Sequence, residues 1–244
     1  MNIEWIGTGA GLNPTLGNTS FLIREGDRTL LVDCGYTVPP ALLQKNCLKD
    51  ISHIVITHQH ADHMGGLEAL GFMNYFAYRK RGDKRPVLYV ATDELAHSLW
   101  HASLKGGMQK IQDDEGNPED ATLETFFRVK IGKNIDLPGL QPTFFLNNHV
   151  QGMESYGLRF ANGVFYSGDT TDLPPHDPSV IFQDVQFFEG KGDVHVSYDK
   201  LLKELPPSVR RKVHLVHLGN TYQSRDPKKD GFAGYVMPGD QFFY

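Results

Sequence analysis

A buried strand that runs straight into a cluster of histidines and acids constrains this 244-residue chain more than any other feature. Ile51–Thr57 reads ISHIVIT, with the length and β-branched character of a buried strand. His58-Gln59-His60-Ala61-Asp62-His63-Met64-Gly65-Gly66 follows at once. Four metal-capable side chains, His58, His60, Asp62 and His63, fall within six residues. His58 and His60 stand two apart and point the same way in extended chain. Asp62 and His63 come where the chain turns into a helix. Imidazole nitrogens with a carboxylate form a donor set suited to Zn²⁺. Gly65-Gly66 lets the backbone pass close beneath the ions. A histidine-rich surface turn is the bland reading, and it does not account for a strand feeding into the cluster.

One loop cannot complete a two-metal centre, so further donors are expected elsewhere. His149 follows the apolar run Phe144-Phe145-Leu146, Asp169 sits in Tyr166-Ser167-Gly168-Asp169, and His217 ends Val213-His214-Leu215-Val216. Each lies at the end of a strand, as His58 does, where scaffolds present functional side chains. His214 and His217 compete for the last place. They are three apart, so a strand puts them on opposite faces. His217, at the strand edge, is favoured.

Around these residues the sequence reads as alternating strands and helices. Strands are expected at Asn2–Ile6, Ser20–Ile23, Thr29–Val32, Val87–Val90, Pro142–Leu146, Tyr156–Phe160, Val164–Tyr166 and Lys212–Leu218. Helices are expected at Glu68–Tyr78, at Thr92–Leu104 with Thr92 as N-cap, and at Ser197–Leu205. The first of these leaves almost no polar face from Phe72 to Tyr78, so it is deeply buried or covers a partner. Asp113–Asp120, with five acids, a Gly and a Pro in eight residues, reads as a solvated loop. Two groups of strands trailed by helices suggest two packed sheets with helices outside, in one α/β domain spanning residues 1–244.

Composition narrows the function. Acids exceed bases and give a net charge of −5, which argues against gripping long polyanions. Cys34 and Cys47 form no readable disulfide framework. No apolar run approaches the ~20 residues of a membrane span, and no secretory signal is legible, so a cytoplasmic protein is expected.

The motif His58-Gln-His60-Ala-Asp62-His63, followed by His149, Asp169 and His217, resembles that of the metallo-β-lactamase superfamily. The resemblance runs from Gly7-Thr8-Gly9 through Asn18-Thr19-Ser20 and Val32-Asp33-Cys34-Gly35 to Gly231-Phe232-Ala233-Gly234. It implies a four-layered αβ/βα sandwich with a dinuclear site at one edge. It implies two Zn²⁺ per subunit, with Mn²⁺ as the alternative. His58, His60 and His149 would take the first ion, Asp62, His63 and His217 the second, and Asp169 would bridge. Asp33 matches a position that supports the loop. The flavo-diiron branch carries Glu where His60 stands, which favours zinc over iron.

Acyl-hydrolysing branches such as lactonases and glyoxalase II show Pro-Gly-His at the third histidine, whereas this chain has Asn147-Asn148-His149. His149 followed by Ser155-Tyr156-Gly157, and the segment Gly192-Asp193-Val194-His195-Val196-Ser197, are similar to the tRNase Z-like phosphodiesterase branch. That likeness implies a metal-bridging hydroxide attacking phosphorus, with Asp62 in the catalytic centre and His195 protonating the leaving oxygen. The extended arm with which tRNA-processing members grip tRNA has no counterpart here. The dense basic run Arg79-Lys80-Arg81-Gly82-Asp83-Lys84-Arg85 reads as a solvated loop. Length, the Asp-Val-His-Val-Ser segment and the short C-terminal end resemble phage anti-Pycsar phosphodiesterases. Those enzymes destroy the cyclic mononucleotides of a bacterial defence system. The resemblance implies cyclic CMP, UMP, AMP or GMP as substrate, and the host cytoplasm if the chain is phage-encoded. It also implies a homodimer paired through the Phe72–Tyr78 region. An RNA-processing endonuclease and a lactonase-type acyl hydrolase are the rival readings. A nonenzymatic nucleotide sponge is disfavoured, because all seven ligand positions are filled.

Overall fold

The computed structural model describes residues 1–78, 85–113 and 115–244, with Tyr78 by its backbone alone. Strands β1 (Asn2–Gly7), β2 (Ser20–Glu25) and β3 (Arg28–Val32) pair antiparallel. Helix α1 (Val38–Gln44) leads to β4 (His53–Val55), parallel to β3. Helices α2 (Ala61–Met64) and α3 (Leu67–Phe72) precede β5 (Val87–Val90), again parallel. Helices α4 (Asp93–Ser98) and α5 (Lys105–Met108), a hairpin of β6 (Lys110–Gln112) and β7 (Pro118–Asp120), and α6 (Leu123–Phe126) come next. Strand β8 (Arg128–Ile131) then joins the sheet beside β5.

The second half repeats the plan. Strands β9 (Thr143–Asn147), β10 (Ser155–Arg159) and β11 (Val164–Tyr166) pair antiparallel. Strand β12 (Val180–Asp184) runs parallel to β11; helices α7 (Tyr198–Glu204) and α8 (Pro207–Arg210) follow. Strands β13 (Val213–Val216) and β14 (Gly234–Tyr235) extend the parallel part, and β15 (Gln241–Phe243) returns to pair with β1. The sheet orders are β15-β1-β2-β3-β4-β5-β8 and β14-β13-β12-β11-β10-β9.

Alternation along the strands makes the layers. Val164 and Tyr166 of β11 and Phe182 of β12 face the first sheet, while Phe165 and Ile181 pack with Tyr198, Leu201 and Val209 of α7 and α8. Between the sheets Trp5 lies 4.6 Å from Phe21 and 5.1 Å from Phe182, and Phe21 lies 5.1 Å from Tyr166. These tilted and edge-on contacts weld the halves by burial and by aromatic geometry together. Leu42, Leu67 and Leu70 of α1 and α3 belong to the same large core. The result is helix, sheet, sheet, helix. Ser197 caps α7 by accepting from Lys200 N at 3.0 Å, and Thr92 caps α4 by accepting from Leu95 N at 3.1 Å.

Some elements differ from expectation. The strand read at Ile51–Thr57 pairs only over His53–Val55, and that at Lys212–Leu218 only over Val213–Val216. The flanking residues turn to deliver His58 and His217. The helix expected at Glu68–Tyr78 is α3 continued by a π-helical turn, Met73–Tyr78. Its apolar surface is covered largely by the chain itself: Leu70 and Tyr75 are buried, and Phe72 and Met73 pack on the core. Phe76 is 48% exposed. Asp113–Asp120 is not wholly a loop, since Pro118–Asp120 forms a strand. The side chain of Asp113 accepts from the backbone of Glu115 and Asn117 and so shapes the hairpin turn. Of the basic run, residues 79–84 lie outside the described residues.

His214 points into the sheet interface, 5.4 Å from Phe182 and 4.9 Å from Phe242. Burial pushes its pKa down to about 4, with only Asp240 working against it. The unfolded chain takes up that proton near 6.5 and the folded chain near 4. Between those values the unfolded state binds more protons, so stability falls as pH drops through the window. His214→Gln should therefore keep turnover and lose less thermal stability than the parent between pH 7 and pH 4.5. An equal loss in both proteins would remove His214 from this account.

Candidate metal centre

The seven donors named from the sequence converge at one edge of the sandwich. His58 Nε2 lies 3.1 Å from His60 Nδ1, and His149 Nε2 lies 3.2 Å from the same atom. The opposite group is built on carboxylates. His63 Nε2 is 3.6 Å from Asp62 Oδ2 and 3.2 Å from Asp169 Oδ2. His217 Nε2 is 3.3 Å from Asp62 Oδ2 and 3.4 Å from Asp169 Oδ2. Asp169 Oδ2 also faces His58 at 3.7 Å and His149 at 4.0 Å, so it stands between the groups. Donors 2.0–2.1 Å from a tetrahedral ion are separated by about 3.3 Å. Most of these distances are close to that edge length. The ligand atoms of each set of four lie within 4.8 Å of one another. Within the clustered side chains, His63 Nε2 and Asp169 Oδ1 are buried without a hydrogen bond. The residues fit a divalent metal.

The outer nitrogens are held. His63 Nδ1 bonds Asp33 Oδ2 at 2.9 Å, His149 Nδ1 donates to Val194 O at 2.7 Å, and His58 Nδ1 meets Thr57 Oγ1 at 3.1 Å. Fixing one ring nitrogen aims the other, as in metal sites generally. Asp33, expected to support the loop, does so. Its Oδ1 accepts from Thr57 N at 2.9 Å, and its own φ of 58° turns the chain at the end of β3. His217 has φ 57°, a left-handed bend just beyond β13 that sets its ring apart from the strand's alternation. Gly35 lies so close to this loop that a Cβ would meet Asp62 O at 2.0 Å. Both glycines make the close approach expected of Gly65-Gly66: a Cβ on Gly65 would meet Ala61 O of the donor loop at 2.5 Å, and one on Gly66 would meet Gly35 O at 2.4 Å.

Electrostatics draws positive charge to this point. Burial opposes the charge on Asp169, yet His217 and His63 hold its carboxyl well below the usual range. Burial likewise opposes protonation of His217, but Asp169, Asp184 and Asp62 lift it to about 10. His63 is raised by Asp169 and Asp33 against its burial, while burial and the neighbouring imidazole push His58 down. A divalent cation answers the same demand.

His195 stands beside the cluster, its ring stacked on His217 at 4.8 Å. Its Nδ1 donates to Asp184 Oδ2 at 2.8 Å. Asp184 was not identified from sequence. It is fully buried at the end of β12, accepts also from Thr170 N at 2.9 Å, and faces His217 Nδ1 at 3.3 Å. Its signal was the one used for Asp169, an acid closing an apolar strand. Of these groups His60, Asp62, Asp169, His195 and His217 line a cleft of about 510 Å³, together with Leu12, Phe187 and Phe188. A cavity of about 590 Å³ lies apart, and its Arg159 and Asp177 pair with each other.

A family described as anti-Pycsar protein Apyc1 matches residues 1–242. A protein of that name from Paenibacillus harenae is 36% identical over 240 residues, covering 92% of this chain and 94% of the relative. One from Bacillus phage BSP38 is 35% identical over 241 residues, covering 91% and 90%. Among solved structures, a diphosphatase of the PhnP family superposes with a TM-score of 0.72 at 17% identity, over 100% of this chain and 97% of the other. The metallo-β-lactamase fold protein YhfI from Bacillus subtilis does so at 0.70 and 16%, over 99% and 98%. Human tRNase Z, short form, gives 0.68 and 15%, over 100% and 99%. The expected αβ/βα sandwich of the metallo-β-lactamase fold is thus the architecture found.

Proposed function

Because this chain belongs to the anti-Pycsar protein Apyc1 family, we propose that it is a zinc-dependent phosphodiesterase that hydrolyses cyclic mononucleotides. Cyclic CMP, UMP, AMP and GMP are the candidate substrates, and their destruction disarms anti-phage signalling. One observation carries the reading: two donor sets share Asp169 on the floor of a cleft of about 510 Å³. Five imidazoles among the donors favour Zn²⁺ over Mn²⁺, which prefers oxygen. His58, His60 and His149 would hold one ion, Asp62, His63 and His217 the other, and Asp169 both. Bound there, the pair supplies Lewis acidity toward phosphoryl oxygens and a lowered pKa for the attacking water.

The chain's own residues do the rest. Asp184 holds His195 by Nδ1, which leaves Nε2 to carry a proton to the leaving oxygen. His149 Nδ1 grips Val194 O and so ties the segment bearing His195 to the donor cluster. A net charge of −5 suits a small phosphodiester better than a long polyanion. The phage relative supports a site of action in the host cytoplasm. Among the described residues no helix is long and apolar enough to cross a membrane.

The test is a turnover screen on zinc-loaded protein with the four cyclic nucleotides and a precursor tRNA, with EDTA as control. EDTA-sensitive opening of the cyclic nucleotides with intact tRNA is expected. Trimmed tRNA beside untouched cyclic nucleotides would assign a processing nuclease instead. Lactone hydrolysis alone would assign an acyl hydrolase.

The same reading includes a homodimer through the Phe72–Tyr78 region, and the exposed ring of Phe76 is its support. Phe76→Asp should convert a dimer into a folded monomer in sedimentation equilibrium. An unchanged dimer would move the interface elsewhere.

A further inference from the structure

We propose that Phe188 is the platform on which the nucleobase of the substrate stacks, an inference that rests on the cyclic-nucleotide reading. Phe188 is 67% exposed and lines the same cleft as Asp169, His195 and His217. The backbone around it is pinned. Gln186 Nε2 donates to the carbonyl of Phe188 at 3.1 Å, and Gln186 N donates to Val196 O at 2.9 Å. Phe187, on one side, stacks on Tyr198 at 5.7 Å. Glu189, on the other, accepts from Ser197 Oγ at 2.6 Å. Between these anchors the ring of Phe188 has no aromatic partner among the described residues. A large apolar ring is thus held in water on a fixed loop, one wall away from the phosphate chemistry.

The same cleft has a second exposed apolar side chain. Leu12 is 90% exposed and lines the cleft next to Gly11, where a Cβ would meet the Asp62 carboxylate at 3.0 Å. The Tyr36 hydroxyl donates to Gly11 O and holds that loop. The cleft therefore offers acids and imidazoles where the proposed metal ions would receive the phosphate, and exposed apolar side chains for a ring. Stacking on an aromatic face accepts every base, because each has a π-surface. The cleft then fits nucleoside cyclic phosphates generally, purines more tightly than pyrimidines because their stacked area is larger.

The experiment compares Phe188→Ala, Phe188→Tyr and the parent on cyclic AMP, cyclic CMP and a base-free ribose cyclic phosphate. Phe188→Ala should raise KM for both nucleotides by roughly 5- to 100-fold, leave kcat nearly unchanged, and leave the base-free substrate unaffected. Phe188→Tyr should restore the parent KM. Equal losses on all three substrates, or none, would overturn the platform. A second measurement does not depend on turnover. Phe188→Trp in the metal-loaded protein should show indole quenching by a hydrolysis-resistant phosphorothioate of cyclic AMP, and none by the base-free ligand. Trp5 and Trp100 are buried and contribute a constant background. If the parent opens no cyclic nucleotide, the proposed function falls, and this titration alone decides the platform: quenching supports it and its absence overturns it.

Discussion

Asp169→Ala should abolish turnover and metal binding together. Its Oδ2 lies within 4.0 Å of donor nitrogens from both groups, His58 and His149 on one side, His63 and His217 on the other. Its removal also strips the largest favourable charge from His217 and His63. The chemistry that such ions supply is worth several kcal/mol, so kcat/KM should fall by roughly 10⁴-fold. Metal content by plasma mass spectrometry should fall to background in the same variant. Asp62→Ala removes a donor from one group alone and should abolish turnover while the other group keeps its ion. Full metal content with full activity in Asp169→Ala would dismantle the centre as described.

His195→Ala should lower kcat by roughly 10² to 10⁴, the range of a lost general acid, with metal content unchanged. The leaving group tells this role from a structural one. An alkoxide needs the proton, whereas a nitrophenolate leaves without it, so bis-nitrophenyl phosphate should be turned over at close to the parental rate. His195 also sits with Asp169, Asp184 and His217 in a set of metal-capable groups. Metal loss in His195→Ala would make it a ligand and end the general-acid assignment. Asp184→Asn, which keeps size but not charge, should give a smaller loss of the same leaving-group-dependent kind, as befits a positioning residue. Thr170 N would still find an acceptor in the amide oxygen.

The sequence alone determined the local parts of this protein. A β-branched run followed by four donors in six residues is legible because strand burial and ligand chemistry both act over a few residues. The strand-end acids and histidines at 149, 169 and 217 were legible for the same reason, and the family likeness then put them in order. Tertiary structure decided the rest. It shortened ISHIVIT to His53–Val55, since only paired residues stay in the ladder. It covered Phe72, Met73 and Tyr75 of the apolar helix with the chain's own core, which no periodicity distinguishes from a partner's surface. It separated His214 from His217 by packing one between Phe182 and Phe242 and bending the other to φ 57°. It brought Asp184, 11 residues from His195 and 33 from His217, within hydrogen-bond reach of the first and 3.3 Å of the second. Those outcomes depend on what lies across a sheet or a loop. That partner is distant in sequence, so a local reading cannot supply it.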